Sequence, residues 1–489
     1  MNKKIIKILI TILFVCLPIL DMLRATSIKD IEIFNFSIIE LINLLLIGIS
    51  FILTLPKIKK KHYKFIFGYI FAFIIYLVFH LYNTYNFNTT LLPTATHNYL
   101  VEAYYLIRIY LAPILLLIIL LENRDMFNRR YYLNIMKYLV LMISGQIIIL
   151  NLFRYSYGSY ADELMPFLIN KTSFIDVFRY NNFKELLTVG LFYSTNQISL
   201  VLFMLLPLNI YNMYLNPKIK SLLLVVLQGI SMIIVGTKVA ALGSILVLLS
   251  TILMYIFFVV IKNEKYNLKY ILMHIGVIII IGIILWISPF RHYYTDKNNI
   301  NKNDISSEQI EEAKEILNSD LTKEEKIVFL TQNTETFKIS SKFFKIYPLE
   351  NDLDFWINIA NRDRKINNDY RILKNDILRR VMQRNNNNLD KYFGMGYTIG
   401  TIDMERDYVY QYYLLGGIGV ALLIGIYIVL YSCNVLKLFK KTYFNYNYAI
   451  CLVSPLIGLL ACYFSGHLFG WVSPMIILTM CISLGRVNN

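Results

Sequence analysis

Seven side chains in this 489-residue sequence are of types that could do chemistry together: the cations Arg108, Lys238, Arg362 and Arg364, the carboxylates Glu405 and Asp407, and the imidazole of His467. Cations bind an anionic group and stabilise charge that develops on it, arginine most selectively through its planar two-pronged fork. A carboxylate or an imidazole can take the proton of an attacking hydroxyl. Asp407, two residues from Glu405, would raise the basicity of its neighbour by like-charge repulsion. Such a set suits a reaction on an anionic substrate, provided that the fold brings its members to one level.

A membrane has to supply that level. The chain is 57% hydrophobic and 16% charged, with a mean hydropathy of +0.52, which places it outside the soluble globular class. Crossing a hydrocarbon core of about 30 Å takes roughly 20 helical residues. Apolar runs of that order lie near 5–23, 37–55, 65–82, 103–121, 133–153, 197–215, 221–236, 239–261, 270–288, 408–432, 448–464 and 469–485. The expectation is an all-α polytopic membrane protein with about twelve transmembrane helices. It divides into an N-terminal bundle (1–288), one large helical extracellular loop between late spans (289–407) and C-terminal spans (408–489). The last pair of spans, joined at Ser465-Gly466-His467, is also open to reading as one span and a re-entrant piece.

Lysine and arginine give the orientation. The short loops near 57–64, 124–130, 218–220, 262–269 and 437–441 are basic and fall on the side of Lys3 and Lys4, whereas Asn83 to Glu102 contains neither residue. Both termini are therefore expected in the cytoplasm, in a multi-pass protein of the cytoplasmic membrane. Acids and bases are equal in number from Pro289 to Arg406, so the net charge of +16 resides in the cytoplasmic loops. That pattern reports topology and speaks against a nucleic-acid partner. The five cysteines lie in spans or at their cytoplasmic ends, which implies no disulfide framework. The N-terminal apolar run lacks a small-residue cleavage site and reads as a retained first span.

Each chemical residue also has a plain structural reading. Arg108, in YYLIRIYLAP, lies roughly 7–8 Å inside its span. It either snorkels to outer headgroups or faces the bundle interior and binds an anion. Lys238, in the hairpin turn VGTKVAALGS, is a solvated tip or an anion ligand. Arg362 and Arg364 belong to a charge-rich loop segment, and His467 to the outer turn YFSGHLFGW, where a structural role is the ordinary one. Span three ends in an aromatic belt with His80, Tyr82 and Tyr85. The segment from Arg154 to Leu187 reads as an amphipathic piece lying on the surface.

Within the large loop, SSEQIEEAKEIL and TKEEKIVFL carry capping boxes, so the loop is expected to fold as a helical cap. Residues 361–381 read as one further helix with Ile366, Tyr370, Leu373 and Ile377 on one face. The topology puts Arg108, Lys238, Glu405, Asp407 and His467 at or just below the outer membrane surface. Their substrate would then be lipid-anchored as well as anionic.

With these stretches in view, the chain resembles the O-antigen ligase-like and Wzy-type polysaccharide polymerase membrane proteins. The resemblance rests on the layout and on four stretches: GLFYSTNQISLVLFMLLPL, VGTKVAALGS, NRDR ahead of Gly394-x-Gly396, and the approach to Gly416-x-x-Gly419. It implies a GT-C-like, metal-independent and cofactor-free inverting glycosyltransferase that works at the outer face of the membrane. The implied donor is a glycan on polyprenyl (undecaprenyl) diphosphate and the acceptor a second glycan. Arg108, Lys238 and Arg362 or Arg364 would bind the diphosphate. With Gly416 and Gly419 set on the family's glycines, the family's loop histidine falls on Glu405, which would then be the base; His467 is the other candidate. Membrane lipids and polysaccharide export or flippase machinery are the expected partners, and a polymer of capsule or cell-envelope type the expected product.

Other classes make different demands. A transporter or flippase needs polar residues at mid-membrane in broken helices, and a lipid-phosphosugar-dependent glycosyltransferase would need Asp30 and Glu32 as metal ligands. A scaffold or sensor would tolerate loss of Arg108 and of Glu405.

Overall fold

An apolar segment in hydrocarbon satisfies its backbone polar groups within itself only as a helix, and the computed structural model is built of helices. It describes all residues except 1, 26–31, 34–35, 95–96, 161–167, 180–181, 263–265, 301–304, 403, 465–466 and 487–489. Among the described residues, ten helices are long and apolar enough to cross a membrane, and Ile219–Val235 and Val472–Leu484 are shorter apolar helices. The protein is an all-α polytopic membrane protein. The stretch after Tyr446 forms two helices, Tyr446–Phe464 and Val472–Leu484. Asp30 lies outside the described residues, and of Glu32 only the backbone, paired with Ser37 in a two-stranded ladder, is described.

The chain forms two compact units. The first comprises residues 1–66, 106–297 and 423–489. Its centre is the helix Thr195–Leu215, most of whose residues are buried. The helices Tyr446–Phe464, Ile219–Val235, Lys238–Lys262, Val472–Leu484 and Arg129–Leu152 pack on it. Two polar side chains at this depth are linked: Asn209 Nδ2 donates to Gln228 Oε1 (2.8 Å), and Gln228 Nε2 to the Leu202 carbonyl (2.9 Å). The first helix, Asn2–Arg24, continues through Pro18 and Asp21.

The segment after Arg154, expected as an amphipathic surface piece, is built among the described residues of short strands and a turn. Ser156–Gly158 instead pairs antiparallel with both Ile169–Asn170 and Thr188–Gly190, and Phe174–Phe178 is a short 3-10 turn. Asn151, buried at the end of the preceding helix, is the physical reason. Its Nδ2 donates to Thr188 Oγ1 (2.8 Å), while its Oδ1 accepts from Ser173 Oγ (3.1 Å) and the Phe174 amide (2.9 Å). Thr188, Ser173 and the Phe174 amide are thus anchored on it.

The second unit comprises residues 67–105 and 298–422. Both capping boxes are present: Ser306 with Gln309 opens Ser307–Asn318, and Thr322 with Glu325 opens Lys323–Gln332. The cap closes on a small apolar core that includes Leu317, Leu330, Phe337, Phe343, Trp356, Leu373 and Ile377, all buried. Residues 361–381 are not one helix. Asp363 accepts from the Lys365 amide (2.8 Å) and Asp369 from the Arg371 amide (3.0 Å), and each restarts the chain as a new helix. Leu373 and Ile377 are buried as expected, while Ile366 and Tyr370 are exposed.

The last cap residues are locked onto the following span. The amides of Met395 and Gly396 donate to the carbonyls of Tyr413 (2.8 Å) and Leu414 (3.0 Å). That docking is made at a break in the helix Asp407–Gly419, where Gly416 has φ 68° and ψ 176°. A Cβ on Gly416 would run into the Tyr392–Phe393 backbone, and one on Gly394 into the Leu414 carbonyl.

Candidate functional site

In the first unit, two arginines converge on one buried carboxylate. Glu40 stands in the first turn of the helix Ile38–Thr54, where the helix dipole favours an anion, and is 4% exposed. Arg24, the last residue of its helix, reaches Glu40 Oε1 through Nη2 at 3.0 Å. Arg108 Nη1 donates to Glu40 Oε2.

The local backbone explains where Arg108 sits. Pro113 has no amide to give to the carbonyl of Ile109, and the helix widens into a π turn over Ile107–Leu111 that carries Arg108. The Arg24 guanidinium lies over the rings of Tyr193 (4.9 Å) and Trp471 (4.6 Å), an arrangement that fixes its plane. One turn before it, Asp21 accepts from Ser473 Oγ at 2.9 Å. His467, buried at 8% exposure, lies four residues before Trp471 in this unit.

Lys238 is the first residue of its helix and is exposed, with Nζ 4.9 Å over the Tyr294 ring. Tyr160 donates to the Gly236 carbonyl (2.8 Å) and meets the Tyr294 hydroxyl at 3.1 Å. The stretch Tyr193–Ser199 serves both places. Tyr193 underlies Arg24, and Ser199 Oγ accepts from Thr237 Oγ1 beside Lys238 at 2.8 Å.

In the second unit, Arg371 donates to Glu405 Oε2 from Nε (2.6 Å) and from Nη2. Asp407, 1% exposed, accepts from Gln411 Nε2 at 3.2 Å. Arg362 is paired with Asp376 (2.5 Å) and with Asn367, and Arg364 donates to the Glu335 carbonyl (3.2 Å). These two arginines hold cap helices together. Asp352 does so as well, taking Arg380 Nε (2.6 Å), Arg384 Nη1 (3.3 Å) and the Tyr347 hydroxyl (2.8 Å). Burial alone would raise its carboxyl, but those hydrogen bonds and charges outweigh it and hold the group below the usual range.

A buried pair in the second unit joins His80, which the sequence placed in an aromatic belt, to Glu102. His80 Nε2 meets Glu102 Oε1 at 2.7 Å, its Nδ1 meets the Phe393 carbonyl at 2.6 Å, and neither side chain is more than 4% exposed. A carbonyl can only accept, so Nδ1 carries a proton. Glu102 Oε2 accepts from the Tyr397 amide at 2.7 Å, which ties this pair to the segment leading to Glu405.

The structure brings Arg108 to Arg24 and Glu40, which the sequence reading did not single out. The available signal was a single acid in an otherwise apolar span: Glu40 in 37–55. Arg24, at the end of its apolar run, carries no such signal.

The helical polytopic fold, with two part-buried arginines on the buried Glu40, defines a polytopic membrane protein. The sequence model of the O-antigen ligase like membrane proteins matches residues 3–487, and the chain belongs to that family. It is accordingly a membrane enzyme of polysaccharide assembly. No curated protein and no solved structure matches it.

Proposed function

We propose that the protein is an inverting glycosyltransferase that polymerises glycan repeats carried on polyprenyl diphosphate at the outer face of the cytoplasmic membrane. The observation that carries this reading is the convergence of Arg24 and Arg108 on Glu40. Two guanidinium groups set around one carboxylate present the donors that a diphosphate requires, and Glu40 occupies the position that such an anion would take. Lys238 adds an exposed cation. Arg362 and Arg364 remain in the reading as the cap's cations, but each would first have to leave its present partner.

In the reaction, the acceptor hydroxyl oxygen bonds to the anomeric carbon as the bond from that carbon to the diphosphate breaks. Configuration inverts, the electron pair leaves with the diphosphate, and the arginines stabilise the charge that develops there. The proton passes to a base. Glu405 is assigned that role, beside Asp407, because the family's loop histidine falls on it. His467 is the second candidate because it shares the first unit with both arginines. Phosphate departure is supported by fixed cations, so no metal is required, and flippase or export machinery would supply substrate and remove polymer.

The test is elongation of a purified lipid-linked repeat by the full chain in chelator, with products separated by size. A ladder formed by wild type and lost in Arg108→Ala supports the reading. Transfer of a single preformed chain to a different carrier would mean ligase, and absence of any transfer would return the transporter and scaffold readings.

A further inference from the structure

The cap's junction with the helix Asp407–Gly419 leaves a groove of about 720 Å³ whose lining includes Lys391, Tyr392, Tyr412, Ile418, Ala421 and Leu422, all within the second unit. That volume falls within the roughly 300–1,000 Å³ range of ligand sites. Its lining has two parts of different chemistry. Lys391 is exposed, Tyr392 and Tyr412 present 55% and 38% of their surface, and among the described residues no carboxylate lines the groove. The other wall, Ile418, Ala421 and Leu422, belongs to Asp407–Leu438, a helix long and apolar enough to span the membrane, and Ile418 is 43% exposed. The break at Gly416 opens this wall, since the Tyr413 and Leu414 carbonyls are turned to the amides of Met395 and Gly396.

We infer that this groove binds an anionic membrane phospholipid, with the headgroup phosphate at Lys391 and an acyl chain along Ile418, Ala421 and Leu422. A lone cation without a neighbouring lining acid complements a net negative headgroup. Tyrosines are side chains that settle at headgroup level, and an apolar wall on a membrane-spanning helix meets hydrocarbon. A zwitterionic lipid brings its own cation and gains less from Lys391. The inference does not depend on the glycosyltransferase reading.

The test uses the full chain, purified in neutral detergent, stripped of lipid and titrated with phosphatidylglycerol or chain-matched phosphatidylcholine, with bound lipid counted by native mass spectrometry. Phosphatidylglycerol should be retained in preference. Lys391→Ala should lower its retention roughly five-fold, Lys391→Arg should keep it, and Ala421→Trp should block it at an unchanged melting temperature. Equal retention of the two lipids, or wild-type retention by Lys391→Ala, overturns the proposal. So does Lys391-dependent binding of a polyprenyl monophosphate in place of phosphatidylglycerol.

Discussion

Arg371 grips one oxygen of Glu405 from two nitrogens, Nε at 2.6 Å and Nη2. The carboxylate assigned to proton removal is therefore held in place by a cap residue. Glu405→Gln should slow glycan elongation by roughly 10²–10⁴-fold, the usual contribution of a positioned base. Arg371→Ala should slow it less, and Arg371→Lys, which keeps the charge but not the fork, should fall between. Elongation at the wild-type rate by Glu405→Gln, with loss in His467→Ala, would transfer the role to His467.

Arg24 is stacked against Tyr193 and Trp471, a setting that suits a flat guanidinium and not an ammonium. Arg24→Lys should weaken binding of inorganic pyrophosphate by about ten-fold. Glu40→Gln should tighten it, because a competing negative charge is removed. Titration calorimetry on the detergent-purified chain reads both. Weaker binding in Glu40→Gln would mean that the carboxylate positions the arginines and does not stand in for phosphate.

The cap should lose stability in acid. The carboxyl of Asp352 is held below its unfolded value of about 3.9. Its contribution is thus complete above that pH and disappears as pH falls through the lower folded value, where protonation ends the pairing with Arg380 and Arg384. Asp352→Asn should remove this part of the pH dependence and cost about 1–3 kcal/mol at neutral pH, the lower end because both arginines are partly exposed. Near-ultraviolet dichroism around Trp356, whose Nε1 donates to the Tyr347 carbonyl, would report the loss.

Gly394→Ala and Gly416→Ala should each destabilise by at least about 1–3 kcal/mol, because both positions have positive φ and face backbone atoms. Gly470→Ala, with open space at its Cβ, is the control. Thermal melts and expression level separate the three.

The apolar runs and the two capping boxes were legible because each depends on local pattern alone. Arg24 was not, since its meaning lies in Tyr193 and Trp471, which are distant in sequence. His80 and Glu102 escaped for the same reason: a histidine at the end of a span looks interfacial until its acid partner and the Phe393 carbonyl are placed beside it. Residues 361–381 show the opposite limit. A helical apolar period was present, but Asp363 and Asp369 compete for the backbone more strongly than the period favours one helix.

The seam between residues 394–396 and 413–416 also bears on how this protein can be rebuilt. The cap supplies two amides that complete the broken span, so excising it would leave the Tyr413 and Leu414 carbonyls without those partners. Chimeras that exchange caps between relatives should carry 390–419 as one cassette. A swap cut at the end of the polar loop divides a unit that the hydrogen bonding treats as whole.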